Sequence, residues 1–165
     1  MDVSASTNTP CTGSNVLLVS EIIAVTAMVI ARVEKNYILK AFSNNIIDVD
    51  ISPTDKLTEV MDKMRRINFG STNCSAPMVD ALNKKADIDA FIVLTDNETN
   101  YGIHPSQAIK EYRKTMNKPE SKMIVAAMSP CNFTIADPQD MNSIDICGGS
   151  TDTISTIMEF VAGKI

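Results

Sequence analysis

The chain has 165 residues, and 44% of them are hydrophobic. This length and composition favour one globular domain with a sizeable core and exclude a disordered chain. The formal net charge of −5 disfavours a nucleic-acid-binding surface on this chain alone, because such surfaces are usually basic. The most apolar run, residues 22–31, is too short to span a bilayer. We therefore expect no membrane association and a location in the cytoplasm, with the nucleus as an alternative.

Four cysteines are scattered along the sequence without a Cys-x-x-Cys pair, which argues against a zinc site or a redox motif. A core of this size does not need disulfides for stability. We therefore expect reduced thiols at Cys11, Cys74, Cys131 and Cys147.

Stretches typical of helices alternate with stretches typical of strands. Apolar residues at helical spacing identify the helices, and short apolar runs bounded by turn residues identify the strands. In chain order the pattern predicts helix 16–33, a hairpin of strands 37–42 and 46–51, a helix opening at residues 53–55, helix 75–85, strand 90–94, helix 105–116, strand 123–128, strand 144–147 and a closing helix through residue 161. Thr54 or Asp55 is expected to cap the second helix, and Asp152 the last.

The apolar runs at 90–94 and 123–128 contain no polar residue at alternate positions, which is typical of strands covered on both faces. Strands that alternate with helices predict an α/β fold with a doubly wound, mostly parallel sheet and helices on both faces, similar to a Rossmann fold. Residues 1–165 form one domain in this interpretation. Ligands of such sheets bind beyond the carboxyl ends of the strands.

The first residues carry an Asp-x-Ser-x-Ser pattern, formed by Asp2, Ser4 and Ser6. In an extended segment alternate side chains leave the same side of the backbone, so these three oxygen-bearing groups can face one point. Hard oxygen ligands with little net charge suit Mg²⁺ or Mn²⁺. A frayed terminus or a helix cap is the alternative for this stretch taken by itself.

Two later residues can join this group at the same edge of the sheet. Asp96 directly follows the apolar strand 90–94, and Thr72 lies in a loop between two predicted helices. Ligand sites of doubly wound sheets lie beyond the carboxyl ends of the strands. Three separate segments can therefore bring oxygen ligands to that one edge of the sheet.

The combination of Asp2-x-Ser4-x-Ser6, Thr72 and Thr95-Asp96 resembles the metal-ion-dependent adhesion site of von Willebrand factor A domains. The resemblance implies that Ser4, Ser6 and Thr72 bind a divalent cation, Mg²⁺ or Mn²⁺, through their hydroxyls. It implies that Asp2 and Asp96 bind the cation directly or through water and hold the hydroxyls in place.

A narrower resemblance covers nearly the whole chain. Residues 91–99, 111–114, 132–138 and 145–148 are similar to the A domain of the Ro (SS-A) RNA-binding ribonucleoproteins, the TROVE family. This resemblance implies a non-catalytic module in a protein that binds Y RNA and misfolded small noncoding RNA. A ring of helical repeats that is absent from this sequence would bind that RNA. An acidic group of a protein partner, or a phosphate, would complete the coordination shell of the metal.

The sequence departs from the family pattern at two places. The family threonine is usually preceded by two glycines and followed by Asp, whereas here Gly70-Ser71 precedes Thr72 and Asn73 follows it. The lost carboxylate should weaken the attraction for a cation. Members also carry an apolar strand before the first Asp, whereas here only Met1 precedes Asp2. We therefore expect a truncated first strand that leaves two neighbouring strands without a partner between them, in a fragment of marginal stability.

Two other classes of function are weighed. An extracellular adhesion-type A domain would bind an acidic protein ligand through the same metal site, but glycans at the sequons of Asn73 and Asn97 would obstruct that site. An enzyme is disfavoured, because His104 is the only histidine and no P-loop is present. His104 directly precedes a predicted helix, and we expect it to be a helix-entry residue.

Overall fold

The computed structural model describes residues 1–11, 16–67, 70–96, 99–129 and 134–165. Within these residues every predicted helix and strand is confirmed, although several begin or end a few residues from the predicted positions. The helices are α1 (Val19–Val33), α2 (Leu57–Arg65), α3 (Ala76–Lys84), α4 (Pro105–Met116) and α5 (Thr151–Val161). The strands are β1 (Lys40–Phe42), β2 (Ile46–Asp48), β3 (Ala90–Thr95), β4 (Lys122–Ala127) and β5 (Ser143–Cys147). A short 3₁₀ helix, Ala5–Asn8, precedes α1.

Two groups of strands form the sheet. β3, β4 and β5 are parallel and pair in that order, whereas β1 and β2 form the predicted antiparallel hairpin. Helix α4 connects β3 to the parallel strand β4, whereas the described residues between β4 and β5 form turns. The predicted α/β fold is therefore confirmed.

Residues 1–3 lie between the hairpin and the parallel strands. The Phe42 N–H donates to the carbonyl of Met1 (2.9 Å), and the Val3 N–H donates to the carbonyl of Phe42 (3.0 Å). On the other side, the Asp2 N–H donates to the carbonyl of Leu94 (2.8 Å). The expectation that nothing separates the two neighbouring strands is thus wrong at this end of the sheet, while the truncation of the first strand remains a prediction.

Helices cover both faces of the sheet, as predicted. On one face α1, α2 and α5 share a core with Ile124 and Ala126 of β4, and on the other α3 and α4 share a core with Met123 and Val125. Alternate residues of one strand thus enter two different cores. Each core contains many fully buried apolar side chains, and apolar burial of this kind is the dominant favourable term in folding.

The predicted caps of α2 and α5 are wrong. The Asp55 carboxylate accepts from the Ser52 N–H (3.0 Å) and pairs with Lys63 (2.6 Å), so it belongs to the turn before α2, which begins after Lys56. The cap of α5 is Ser150, whose hydroxyl accepts from the N–H of Thr153 (3.4 Å). At α5 a neighbouring serine takes the capping role, whereas at α2 the Lys56 side chain makes no capping bond and the Glu59 carboxylate accepts from the Lys56 N–H (2.7 Å).

His104 caps α4, with its Nδ1 atom accepting from the Ser106 N–H (3.3 Å), which confirms the prediction of a helix-entry residue. Cys11 and Cys74 are buried and Cys147 is exposed, while Cys131 lies outside the described residues. In the part of the chain that the structure describes, none of the helices has the length and apolar character that a bilayer crossing requires.

Candidate metal centre

Asp2 is the buried centre of the candidate site. Its side chain has 0% exposure, and its backbone bridges to Phe42 of β1 on one side and bonds to Leu94 of β3 on the other. Its position at the carboxyl ends of the strands is the place where doubly wound sheets bind ligands.

Both oxygens of the Asp2 carboxylate accept hydrogen bonds. The Ser4 N–H donates to Oδ1 (2.8 Å), and the Thr95 hydroxyl donates to Oδ2 (2.7 Å). Burial raises the pKa of Asp2 from its ordinary value, although the hydrogen bonds from Ser4 and Thr95 oppose the rise. A divalent cation beside this carboxylate would favour its charged form.

Ser4 and Ser6 bring their hydroxyls together, with 3.0 Å between the two Oγ atoms. The predicted extended conformation continues only as far as Ser4, because Ala5–Asn8 forms a 3₁₀ helix. The Thr7 hydroxyl stabilises this turn by donating to the Ser4 carbonyl (2.8 Å). Ser6 therefore reaches Ser4 through a turn and not through the alternation of an extended strand.

Asp96 follows β3 and is 8% exposed. Its Oδ1 atom lies 3.4 Å from the hydroxyl oxygen of Thr95, which also contacts Asp2. The structure thus brings four of the five predicted site residues together. The Thr95 hydroxyl contacts Asp2 and Asp96, Asp2 accepts from the Ser4 N–H, and the Ser4 hydroxyl contacts that of Ser6.

Thr72 is buried in the loop between α2 and α3, as predicted. It is tied to the segment that follows Asp96 and not directly to the other four residues. The Thr72 N–H donates to Oδ1 of Asn100 (3.0 Å), and the Thr72 carbonyl accepts from the N–H groups of Asn100 (3.0 Å) and Tyr101 (3.2 Å). These bonds fix the Thr72 backbone relative to the chain that leaves β3.

Gly102 allows this close approach of the two loops. Its φ of +83° lies in the left-handed region, and a Cβ atom there would come within 2.5 Å of Oδ1 of Asn73. Any side chain at this position would adopt a strained backbone conformation and would displace the Asn73 side chain. The same Asn73 Oδ1 accepts from the N–H (3.1 Å) and hydroxyl (2.6 Å) of Ser75 at the start of α3.

The donor set fits a hard cation. Among the described residues no group of three or more His, Cys, Asp or Glu side chains could hold a metal, so the candidate ligands are hydroxyls supported by two carboxylates. Cys74 is close by, with its Sγ 3.8 Å from Oγ1 of Thr95. Burial raises the pKa of the Cys74 thiol to about 12, so it stays protonated at neutral pH and does not offer a soft thiolate ligand.

Sequence reasoning assigned no role to two residues of this arrangement, although it quoted Thr95 beside Asp96. Thr95 continues the buried alternation of Phe91 and Val93, and a polar side chain in such a position signals a buried hydrogen bond. Asn100 carries no comparable signal, because its role depends on how one loop folds against another. Asn97 and Glu98, which follow Asp96, lie outside the described residues.

Comparison with known proteins gives one consistent family. A model of the family described as the Ro60 vWA domain matches residues 1–161. The chain is similar to the RNA-binding protein RO60 of Caenorhabditis elegans, with 37% identity over 76% of this chain and 20% of the relative. It is also similar to the RNA-binding protein RO60 of Deinococcus radiodurans, with 31% identity over 86% of this chain and 27% of the relative. The chain thus spans about a quarter or less of the curated relatives it matches.

Solved structures agree with this result. The crystal structure of the Deinococcus radiodurans RO (RSR) protein superposes with a TM-score of 0.86 at 30% identity, covering 99% of this chain and 33% of that one. An aerotolerance-related membrane protein from Bacteroides fragilis superposes with a TM-score of 0.64 at 14% identity, covering 98% of this chain and 96% of the other. The second likeness concerns the fold alone.

Proposed function

Since this chain belongs to the Ro60 vWA domain family, we propose that it is the divalent-cation-binding module of a Ro-type RNA-binding protein. The cation would be Mg²⁺ or Mn²⁺. Ser4, Ser6 and Thr72 would hold it through their hydroxyls, and Asp2 and Asp96 would supply the negative charge directly or through water. The hydrogen-bonded group around Asp2 carries this proposal.

The spacing of the two serine hydroxyls supports the choice of cation. Neighbouring ligands of an octahedral Mg²⁺, each about 2.1 Å from the ion, lie about 3.0 Å apart. The Ser4 and Ser6 Oγ atoms are 3.0 Å apart. A bound cation could therefore replace the hydrogen bond between these hydroxyls with little movement of the 3₁₀ turn.

The proposed role is binding and not catalysis. A bound cation supplies a Lewis acid that attracts an oxygen ligand, and we propose a carboxylate of a protein partner or a phosphate for that position. The relatives are named RNA-binding proteins, which supports a module without enzymatic activity. We propose that it acts in the cytoplasm or nucleus.

RNA is the proposed partner of the whole protein. We infer that the full-length protein binds Y RNA and misfolded small noncoding RNA, because its relatives are named RNA-binding proteins. Most of that binding would come from regions beyond the part that this chain matches. The net charge of −5 supports only weak, nonspecific RNA affinity for this chain.

A thermal melt tests the cation site. We expect Mg²⁺ or Mn²⁺ at about 100 times its dissociation constant to stabilise the chain relative to EDTA by about 2.7 kcal/mol, or about 5–10 °C in Tm. The double variant Ser4→Ala/Asp96→Ala should lose this response, because it removes one hydroxyl ligand and one carboxylate.

The matched control is Ser155→Ala/Asp62→Ala. Ser155 lies on the exposed surface of α5, where its hydroxyl donates to the Thr151 carbonyl, and Asp62 lies on the exposed surface of α2. This control removes the same two chemical groups and should keep the full metal response. An unchanged Tm of the wild-type chain at millimolar Mg²⁺ and Mn²⁺ would reject the proposed cation site.

A further inference from the structure

Thr95 lies between the two carboxylates of the candidate site. Its hydroxyl oxygen is 2.7 Å from Oδ2 of Asp2 and 3.4 Å from Oδ1 of Asp96. The Thr95 side chain is fully buried at the end of β3. The family resemblance includes Thr95 beside Asp96 but gives a role in cation binding only to Asp96.

A hydroxyl has one hydrogen to donate. The distance of 2.7 Å assigns that hydrogen to Asp2, because the alternative of 3.4 Å to Asp96 is at the long limit for a hydrogen bond. The other Asp2 oxygen accepts from the Ser4 N–H at 2.8 Å. The buried Asp2 carboxylate therefore connects the Thr95 hydroxyl of β3 to the backbone of Ser4.

We propose that Thr95 is a positioning residue of the cation site. Its hydroxyl fixes the orientation of Asp2, Asp2 fixes the backbone of Ser4, and the Ser4 hydroxyl is thereby held beside that of Ser6. Thr95 acts through Asp2 and not as a ligand. The inference rests on the proposed cation binding, and it predicts that this hydroxyl raises the affinity for the metal by arranging the ligands before the metal arrives.

The test compares two substitutions in the full chain. Thr95→Val keeps the shape and the branched β-carbon but removes the hydroxyl, and Thr95→Ser keeps the hydroxyl. Mn²⁺ affinity is measured directly, from the electron paramagnetic resonance signal of the free ion. Loss of a group that orients a metal ligand typically weakens binding by about 10–100-fold. We expect that loss for Thr95→Val and a change of less than about threefold for Thr95→Ser.

Thr26→Val is the matched control. Thr26 is also buried, and its hydroxyl donates to the Ile22 carbonyl within α1 (2.9 Å), outside the candidate site. Its replacement should alter the stability of the chain without altering Mn²⁺ affinity. A second readout tests whether Thr95 acts through Asp2. In the Asp2→Asn variant, the added Thr95→Val substitution should cause little further loss of Mn²⁺ affinity. If the two residues act independently, the two losses would instead add.

The outcomes separate this inference from the proposed function. A wild-type chain that does not bind Mn²⁺ overturns both. If the wild-type chain binds Mn²⁺, two results overturn the inference alone. One is that Thr95→Val binds Mn²⁺ equally well, and the other is that Thr95→Ser loses as much Mn²⁺ affinity as Thr95→Val. If Thr95→Val does not fold, Thr95→Ala takes its place. If neither folds even with saturating Mn²⁺, the hydroxyl serves the fold and the positioning role is rejected.

Discussion

Asp2 and Asp140 are two acidic residues whose surroundings shift their pKa values in opposite directions. Burial raises the pKa of Asp2 despite its hydrogen bonds. Burial also acts to raise the pKa of Asp140, but hydrogen bonds from Ser143 and the Arg113 guanidinium outweigh burial and lower it. Asp140 lacks the full burial of Asp2 and has a cation 2.5 Å away. A cation at the candidate site would move Asp2 in the same direction.

Asp140→Asn should weaken the fold in a pH-dependent way. The Asp140–Arg113 pair is nearly buried, with side-chain exposures of 14% and 11%, and removal of its negative charge should destabilise the chain by about 1–3 kcal/mol at pH 7. Because the folded pKa lies below the ordinary value of 3.8, this stabilisation is present above that value and is lost as the pH falls through the folded pKa. Urea unfolding at pH 7 and near pH 3 compares the full stabilisation with a stabilisation that is partly lost.

Asp62→Asn is the control for this prediction. Asp62 pairs with Arg65 at 3.7 Å, and both side chains are 62% exposed, so little stability should depend on the pair. A free-energy difference between Asp140→Asn and wild type that stays the same at both pH values would contradict the assignment of this stabilisation to the charged carboxylate.

At the scale of elements, Tyr112 joins α4 to the segment that enters β3. Its ring packs edge-on against Phe91 with 4.9 Å between centroids. Its hydroxyl donates to the Ala86 carbonyl (2.7 Å) and accepts from the Ile88 N–H (2.8 Å). One side chain thus satisfies two backbone groups of the connection between α3 and β3, and so helps to hold the strand that ends at Thr95.

Tyr112→Phe should destabilise the chain by about 1–3 kcal/mol, because it leaves two partly buried backbone groups without their partner while the ring remains. Urea unfolding should show a lower midpoint with an unchanged slope. Tyr101→Phe, at an exposed position, is the control and should change the midpoint little. Equal midpoints for Tyr112→Phe and wild type would show that water replaces the tyrosine hydroxyl.

The elements were more predictable than their ends. Helix 105–116 was predicted with the bounds it has, because Pro105 fixes its start and apolar spacing fixes its face. The caps of α2 and α5 were mispredicted. At α5, Ser, Thr and Asp lie close together and only the folded turn selects Ser150, whereas α2 begins after Lys56, which makes no side-chain capping bond. The Asp-x-Ser-x-Ser pattern identified Asp2, Ser4 and Ser6 as neighbours, but the contact of Thr72 with Asn100 depends on two loops that are distant in sequence.

At the scale of the whole molecule, acidic partners occupy most of the basic residues that gather on α2 and α4. Lys63 and Arg65 pair with Asp55 and Asp62. The remaining pairs in or just after α4 join Lys110 to Asp137, Arg113 to Asp140, and Lys118 to Asp87 and Asp89. Neighbouring carboxylates oppose the charges of these side chains, so they do not form an unopposed basic surface.

We therefore expect this chain alone to bind RNA weakly. Fluorescence anisotropy with a Y RNA and with an unrelated single-stranded RNA should give similar dissociation constants, weaker than about 10⁻⁵ M near 0.15 M salt. The weak binding should decrease further as salt rises, because any contact would be electrostatic. Submicromolar binding that prefers Y RNA and is unchanged between 0.05 and 0.2 M salt would contradict this prediction.

The bond between Thr95 and Asp2 joins residues that are 93 positions apart in the sequence. Contacts of such separation close a large loop of chain, and folds that depend on them assemble slowly. The hairpin of β1 and β2 pairs residues that are close in sequence and can form early. The contacts of Asp2 with Leu94 and Thr95 instead require that β3 is already in position. The candidate site therefore exists only after residues 1–3 have paired with both the hairpin and β3, and a cation would bind this assembled sheet without guiding its assembly.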